Sequence, residues 1–142
     1  MQYQVVYQPN AQDVLDVREG LRHFNEPFVS HLKETEVAVY ALDEKGERIG
    51  GVISRLWGNW MHVLYLWIDP AYTGKGIGSD LMVKVEAEAV SFGCKTVMVD
   101  TFSFQARPFY EKLGYQCQMT IDDVPGDGDE FHFLTKRLNH PV

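Results

Sequence analysis

Apolar residues near the start of the chain change from strand-like to helical spacing. Residues 3–7, YQVVY, predict a short strand that ends at the turn-forming residues after it. Asn10 is a residue type that caps helices, which favours a helix beginning directly after it. Apolar side chains then recur at helical spacing: Val14, Val17, Leu21 and Phe24. Because proline lacks the N–H of a helical hydrogen bond, we expect Pro27 to break this helix and a second short helix to follow over 28–33.

Three strand-like runs follow between residues 37 and 69: VAVYALD, RIGGVISRLWG and WMHVLYLWID. Their linkers, EKGE and the Gly58-Asn59 pair, are turn-forming, so we expect an antiparallel meander. Four aromatic side chains lie on the second and third of these runs: Trp57, Trp60, Tyr65 and Trp67. We interpret them as core residues, with an apolar binding pocket or a dimer surface as the alternative.

The second half of the chain alternates helices and strands. A helix is predicted from one apolar face and ends at Gly93; the face consists of Ile77, Leu81, Val85 and Ala89. The strand TVMVDTF follows, then a short helix, then the strands QCQMTID and EFHFLTKRL. A strand, a helix and a strand form a crossover, so the strand ending at Asp69 should lie parallel to the one beginning at Thr96.

These elements predict an α/β fold with a mixed, mostly antiparallel sheet of about six to seven strands. Helices are expected on both faces of the sheet, and the parallel pair at its centre. The chain has no repeat, linker or low-complexity segment, so residues 1–142 are expected to form a single domain.

Composition excludes several classes of protein. The 142 residues are 45% hydrophobic and 23% charged, which are ordinary globular values, and the net charge of −7 opposes binding to nucleic acid. No apolar run is long enough for a membrane span and the N-terminus does not resemble a secretory signal, so a cytoplasmic protein is expected. The histidines lack metal-ligand spacing, so no metal is expected, and Cys94 and Cys117 are expected to be reduced thiols.

One segment carries a chemical signal: residues 64–81, LYLWIDPAYTGKGIGSDL, in which an apolar strand leads through a glycine-rich loop into a helix. Backbone N–H groups at a helix N-terminus can hold a phosphate without a basic side chain. The spacing of Gly74, Gly76 and Gly78 is not that of the dinucleotide fingerprint, and the loop lacks the lysine of a P-loop. The alternative is a glycine turn that only ends the strand.

Two motifs resemble those of the GNAT superfamily of acyl-CoA N-acyltransferases. Motif A in that family is Arg or Gln, two residues, Gly, one residue, then Gly or Ala, and residues 73–78 match it except that Thr73 replaces the Arg or Gln. Residues 103–115, SFQARPFYEKLGY, resemble motif B, with Ser103 in place of the usual Asn. The motif B matches are Ala106, Tyr110, Lys112, Leu113, Gly114 and Tyr115.

The resemblance implies that acetyl-CoA is the cofactor and that its pantetheine arm lies where the two parallel strands splay apart. Loop N–H groups would hold the pyrophosphate, with side-chain donors from Lys75 and Ser79, while strand residues present main-chain groups to the pantetheine. The implied cofactor contacts are Trp67, Ile68, Thr73, Gly74, Lys75, Gly76, Ile77, Gly78, Ser79, Ser103, Ala106 and Phe109.

Two residues are expected to carry proton chemistry. Tyr110 matches the family's general acid, which protonates the leaving thiolate, although a packed helix residue is the alternative. His62 occupies the position where some members carry a basic glutamate or histidine, and a structural histidine with a water chain as base is the alternative.

We therefore expect an acetyl-CoA-dependent N-acetyltransferase whose acceptor is a primary amine of a small molecule or a protein, attacked directly in a ternary complex. A homodimer is an open expectation, and neither nucleic acid nor a membrane is expected as a partner. The alternative function is a catalytically silent acyl-CoA-binding sensor or interaction module, suggested by Thr73 and Ser103.

Overall fold

The structure of the protein is a computed structural model, and it describes residues 1–138. Within them, three α-helices and six strands follow one another along the chain. Their bounds are α1 Ala11–Val29, β1 Glu34–Leu42, β2 Arg48–Trp57, β3 Trp60–Ile68, α2 Ile77–Phe92, β4 Thr96–Phe102, α3 Arg107–Lys112, β5 Gln116–Asp122 and β6 Glu130–Arg137. A short 3-10 helix, Pro70–Tyr72, lies between β3 and α2. Contacts divide the chain into two compact units, Met1–Leu32 and the chain from Lys33 onward.

The N-terminal unit consists of α1 and the segment before it. Asn10 caps the helix as predicted, because its side-chain oxygen accepts a hydrogen bond from the Asp13 N–H at 2.8 Å. The predicted break at Pro27 is wrong, since α1 continues through it to Val29, and so is the separate helix over 28–33. Proline removes one hydrogen bond near the end of a long helix, and the remaining turns hold the last residues helical.

The predicted strand over residues 3–7 is also wrong, because this segment has no strand structure in the described chain. Alternation of side chains predicts that a segment can form a strand. A strand forms only where its backbone groups find a neighbouring strand, and this segment has none among the described residues.

The second unit contains the sheet, whose strand order is β1-β2-β3-β4-β6-β5. All neighbouring strands pair antiparallel except β3 and β4, which are parallel and lie at the centre. The predicted fold class is thus confirmed. The single domain over residues 1–142 stays a prediction.

One face of the sheet forms the core together with α2, which lies against β1, β2 and β3. The helix turns four buried side chains to the sheet and ends at Gly93, whose φ of +106° suits glycine. The buried side chains of α2 are Leu81, Met82, Val85 and Ala89. They meet buried strand residues, among them Val52, Leu56, Met61, Val63, Val97 and Leu134.

The opposite face of the sheet carries most of the aromatic side chains. Register places Trp67 beside Gly51, Tyr65 beside Ile53 and Trp60 beside Trp57, all on the side away from the core. Their interpretation as core residues is wrong for Tyr65 and Trp67, which are 71% and 53% exposed. The alternation of side chains along the strands predicted which residues share a face of the sheet. It did not predict which of the two faces is buried.

Burial on α2 predicts a sharp contrast between two neighbouring residues. Met82 is fully buried, whereas Val83 is 64% exposed. We expect Met82→Ala to lower the free energy of unfolding by roughly 2–5 kcal/mol, because it leaves a cavity. The matched substitution Val83→Ala should change it by less than about 0.5 kcal/mol. Urea denaturation of both variants measures the difference, and equal losses would contradict this account of the core.

Candidate active site

The candidate site begins where the two central strands part. Parallel pairing joins β3 and β4 from Trp60 and Thr96 to Val63 and Val99 and extends no further, although β3 continues to Ile68 and β4 to Phe102. At the same level the pairing of β2 with β3 shifts register, which leaves Leu64 as an extra residue. Such a bulge bends a strand, so it accounts for the separation of β3 from β4.

A cleft of about 620 Å³ occupies the gap between the parted strands. Residues 63–68 form one wall, and the end of β4 with α3 forms the other. The lining residues of the second wall are Asp100, Thr101, Phe102, Gln105, Ala106, Phe109 and Tyr110. The cleft is therefore bordered by strand backbone that has no partner strand across the gap.

A second cavity of about 380 Å³ lies at the glycine-rich loop and the start of α2. Helix α2 begins after Gly76, which has a φ of +79° and provides no side-chain cap. The first N–H groups of the helix therefore donate to no capping side chain, and with the helix dipole they favour an anion. Lys75 adds a positive charge beside this loop, with its ammonium 5.2 Å from the centre of the Tyr72 ring.

The two cavities adjoin, since both are lined by Ile68 and Phe109. Gly78 makes this junction close-packed: a Cβ there would lie 3.2 Å from the Phe109 ring and 3.3 Å from Ile68 Cδ1. A glycine in the first turn of α2 thus lets α3 approach the loop closely. The two neighbouring cavities together suit an extended molecule whose phosphate end lies at the loop and whose arm lies in the strand gap.

Tyr110 lies on α3 and is buried, with 6% of its surface exposed. Its ring packs edge-on against Phe109 and against Tyr115, and its side chain lines the cleft. Burial, followed by the negative charge of Asp100, raises the pKa of the Tyr110 phenol to about 12. The phenol therefore keeps its proton at physiological pH and can donate it into the cleft.

His62 forms a hydrogen bond with Asp100 on the neighbouring strand. His62 Nε2 lies 3.1 Å from Asp100 Oδ2, and both side chains are partly buried. The carboxylate can fix the orientation of the imidazole ring. Asp100 lines the cleft between the parted strands, and His62 does not. His62 therefore lies beside the cleft, behind the Asp100 side chain.

Most residues with an implied cofactor contact line one of the two cavities. The loop residues that line the smaller cavity are Thr73, Gly74, Gly76, Ile77, Gly78 and Ser79. Trp67 and Ala106 line the larger one, and Ile68 and Phe109 line both. Ser103 lies elsewhere, because its hydroxyl accepts a hydrogen bond from the Glu130 N–H at 3.0 Å and helps hold β4 to β6.

Residue motifs missed two polar side chains of the cleft wall. Thr101 is buried and accepts a hydrogen bond from the Ala106 N–H at 3.2 Å, and Gln105 accepts one from the Phe102 N–H at 2.8 Å. Both shape the turn that carries α3 to the cleft. Their side chains have no motif spacing, and only the alternation of β4 could have placed Thr101 opposite Asp100.

In residues 1–138 no group of three or more His, Cys, Asp or Glu side chains is arranged to hold a metal ion. The helices described over the same range include none that is long and apolar enough to cross a membrane. The Cys94 side chain is buried, and the free thiol of Cys117 is half-buried.

Comparison with known proteins identifies the family. The family model described as Acetyltransferase (GNAT) family matches residues 4–115. The chain is 39% identical over 133 residues to the blasticidin-S acetyltransferase of Streptomyces morookaense, which spans 92% of this chain and 97% of that protein.

Solved structures agree with the family match. An acetyltransferase from Bacillus cereus ATCC 14579 superimposes with a TM-score of 0.85 at 28% identity, over 95% of this chain and 98% of the other. An aminoglycoside 6'-N-acetyltransferase complexed with coenzyme A shares the fold, with a TM-score of 0.66 at 20% identity over 75% and 76% of the two chains.

The chain belongs to the GNAT family of acetyltransferases. It is an enzyme that transfers an acetyl group from acetyl-CoA, as the two sequence motifs predicted. The donor set fits this cofactor, because the glycine loop offers N–H groups to a diphosphate and the strand gap receives an extended arm. The role of each site residue stays a prediction.

The surroundings of Tyr110 predict its titration. We expect the phenol to stay protonated through pH 10 and to ionise near pH 12, because a buried site disfavours the phenolate. In Asp100→Asn the pKa should fall, since a negative charge that opposed ionisation is gone. NMR of ring-labelled tyrosine across pH measures both values. Ionisation of Tyr110 near pH 10 in the native protein would contradict the prediction.

Proposed function

We propose that this enzyme acetylates a primary amine of a small cationic molecule, by direct attack of the amine on the thioester in a ternary complex. The observation that carries the proposal is the neighbouring position of the loop cavity and the strand-gap cleft, which share Ile68 and Phe109, with the His62–Asp100 pair at the edge of the cleft. The similarity to a blasticidin-S acetyltransferase over 97% of that protein's length makes an amine antibiotic the first acceptor to test.

Acetyl-CoA supplies the activated acetyl thioester, and groups of the protein bind and orient it. Main-chain N–H groups of residues 74–79 would hold the diphosphate, together with the side chains of Lys75 and Ser79. Main-chain groups of Trp67 and Ile68 on the parted strand would bind the pantetheine amides and the thioester oxygen. An N–H donor aimed at an oxygen that gains charge contributes on the order of 3 kcal/mol in comparable sites.

The proton steps belong to His62 and Tyr110. An alkyl ammonium has a pKa of about 10.4, so a base must remove its proton before it can attack. With its Nε2–H donated to Asp100, His62 would accept that proton at Nδ1, directly or through water. Tyr110 Oη holds the proton needed by the departing sulfur. Burial in the same cleft would also raise the pKa of the coenzyme A thiol. The pKa of this proton acceptor would then lie closer to the pKa of the Tyr110 phenol that donates the proton.

Charge and aromatic surface support a cationic acceptor. The chain carries a net charge of −7, and Asp100 adds an acidic group to the cleft wall. Tyr65 and Trp67 line the same cleft with exposed rings, whose faces attract cations and planar groups. A protein amino group is the second acceptor class, and the homodimer stays a prediction.

We further propose a cytoplasmic location, which the free thiol of Cys117 supports, because thiols stay reduced in that compartment.

The alternative is a silent acyl-CoA-binding module. The Thr73 hydroxyl already donates to the Pro70 carbonyl oxygen at 3.0 Å, so it does not replace the Arg or Gln of motif A. The Ser103 hydroxyl is likewise occupied. Thr73 and Ser103, which replace the usual motif residues, would therefore favour weak cofactor binding without turnover.

An acetylation assay separates the two functions. The purified protein is incubated with acetyl-CoA and with blasticidin S, aminoglycosides, polyamines or peptides, and free thiol is measured. We expect thiol release above the hydrolysis background with at least one small amine, and a product heavier by one acetyl group. Cofactor binding without release for every amine would support the silent module instead.

Two glycines provide a matched test of cofactor binding. Gly76 and Gly46 have φ values of +79° and +78°, and a Cβ at either meets nothing within 4 Å. Gly76→Ala and Gly46→Ala should therefore lose similar stability, on the order of 1–2 kcal/mol. Only Gly76→Ala should raise the Kd for acetyl-CoA, by about tenfold or more, because its methyl group holds the phosphate off the backbone. Calorimetric titration measures both, and equal Kd values would refute the loop as the phosphate site.

Tyr110 has a matched control in Tyr115, a second buried tyrosine whose hydroxyl donates to Glu86 Oε2 at 2.9 Å. We expect Tyr110→Phe to lower kcat by about 100-fold while the Kd for acetyl-CoA stays within about twofold, because the lost hydroxyl acts only on the leaving sulfur. Tyr115→Phe should reduce stability and leave kcat nearly unchanged. Steady-state kinetics measure kcat for both variants. An unchanged kcat in Tyr110→Phe would show that this residue takes no part in the mechanism.

A further inference from the structure

His132 is a buried histidine that lines neither cavity of the site. It lies on β6, where the sheet register places it between Thr101 of β4 and Thr120 of β5. Only 2% of its surface is exposed. A buried polar ring needs hydrogen-bond partners, so the atoms around this imidazole indicate what it does.

Two side chains from different elements meet His132 at the same ring nitrogen. The Thr120 hydroxyl oxygen lies 2.7 Å from Nδ1, and Nη1 of Arg107 lies 3.3 Å from the same atom. A guanidinium group has N–H donors and no acceptor, so Nδ1 has to accept the hydrogen bond from Arg107. The proton of the neutral ring then sits on Nε2, which lies 3.9 Å from Oε1 of Glu130.

The groups around the imidazole define when the contact with Arg107 can exist. From α3, Arg107 lies against Nδ1, and its own Nε donates to Glu111 at 2.9 Å. From β5, the Cys117 sulfur lies 3.5 Å from the Thr120 hydroxyl rather than at the ring. A proton on Nδ1 would set one donor against another, so the hydrogen bond from Arg107 requires a free lone pair on Nδ1.

Arg107 is the first residue of α3, so its contact with His132 fixes the start of this helix. Helix α3 has only six residues, and Ala106 before it provides no side-chain cap. Helices this short do not hold their shape alone, so α3 depends on its attachment to the sheet. The Ala106 N–H donates to Thr101 Oγ1 at 3.2 Å, and Arg107 donates to His132. Two neighbouring strand residues thus hold two consecutive residues at the helix start.

We propose that His132 is a positioning residue for acetyl transfer, which acts through Arg107 to hold α3, and with it Tyr110, at the cleft. The Tyr110 N–H donates to the Ala106 carbonyl oxygen at 3.2 Å, so the helix start and the phenol move together. His132 itself touches neither the cofactor nor the amine. The effect on turnover rests on the proposed function of Tyr110, whereas the contact and the position of Tyr110 are tested without any activity measurement.

The ring nitrogen that carries the proton is the first test. Nitrogen-15 spectra of the full chain with labelled histidine distinguish the two tautomers at about pH 8, where an ordinary imidazole is neutral. We expect the Nε2–H tautomer for His132, and a shift of its Nδ1 signal in Arg107→Met. A His132 ring with its proton on Nδ1 would overturn the proposal, because Nδ1 could then accept nothing from Arg107.

The titration of Tyr110 is the second test, because it reports the position of the phenol. Burial, followed by the charge of Asp100, raises the pKa of Tyr110 to about 12. We expect Arg107→Met and His132→Leu to lower this pKa towards about 10, since a displaced α3 lets water reach the phenol. Loss of the positive charge of Arg107 would by itself raise the pKa, so a fall reports movement of the helix. NMR of ring-labelled tyrosine measures it.

Two control variants separate this role from a general loss of stability. His132→Asn places its Oδ1 near the position of Nδ1, keeps an acceptor for Arg107 and should leave the Tyr110 titration unchanged. Arg137→Met removes an exposed arginine from the same strand, at the end where β4 pairs with β3, and should have no effect either. An unchanged pKa of Tyr110 in both His132→Leu and Arg107→Met would overturn the proposal.

Kinetics complete the test. We expect kcat to fall by about tenfold in His132→Leu and in Arg107→Met, because a displaced acid is poorly aligned with the leaving sulfur. The Kd for acetyl-CoA should stay within about threefold, since the loop amides keep their places. The double variant should lose little more than either single one, as both changes break one contact. Additive losses would contradict action through Arg107. Absence of turnover in the native protein would refute the proposed function, while the tautomer and the Tyr110 titration would still decide this proposal.

Discussion

The parting of β3 from β4 is the constraint on which the rest of the site depends. Backbone N–H and C=O groups that leave a sheet ladder must find other partners, because unpaired groups away from water are costly. Beyond Val63 and Val99 the two strands no longer supply each other's hydrogen bonds. A ligand arm containing amide groups can replace the missing strand, and this is the physical basis for binding pantetheine in a sheet.

Three other features take their position from this gap. Crossover helix α2 starts at the carboxyl end of β3, so its unbonded N–H groups face the same end of the cleft. Helix α3 follows β4, and the small Gly78 lets Phe109 close the junction between loop and gap. Tyr110, one residue further on, is thereby buried at the cleft wall, where desolvation keeps its proton in place. The groups expected to bind the cofactor and the proton held by Tyr110 are thus both placed by the same arrangement of strands and helices.

Much of the fold followed from local signals. The strand TVMVDTF was predicted with the bounds that β4 has. In the glycine loop, Gly74 and Gly76 have a positive φ, and Gly78 leaves room for the side chain of Phe109. The contact of His62 with Asp100 joins residues 38 positions apart and depends on the register of a parallel pair, which no local pattern encodes. The strand predicted over residues 3–7 failed for a related reason, since a strand is a property of two segments. At Pro27 a local signal was present but did not decide the structure. The neighbouring turns of α1 keep the helix intact although proline removes one hydrogen bond.

Backbone amide shifts measure the central claim most directly. A nitrogen-15 spectrum of the full chain is recorded with and without coenzyme A at saturating concentration. We expect the amide signals of residues 74–79 and of residues 64–68 to shift, while those of the β1–β2 turn at residues 43–47 stay in place. Saturation with the loop and parted-strand amides unmoved would contradict it, because the cofactor would then be held by some other part of the molecule.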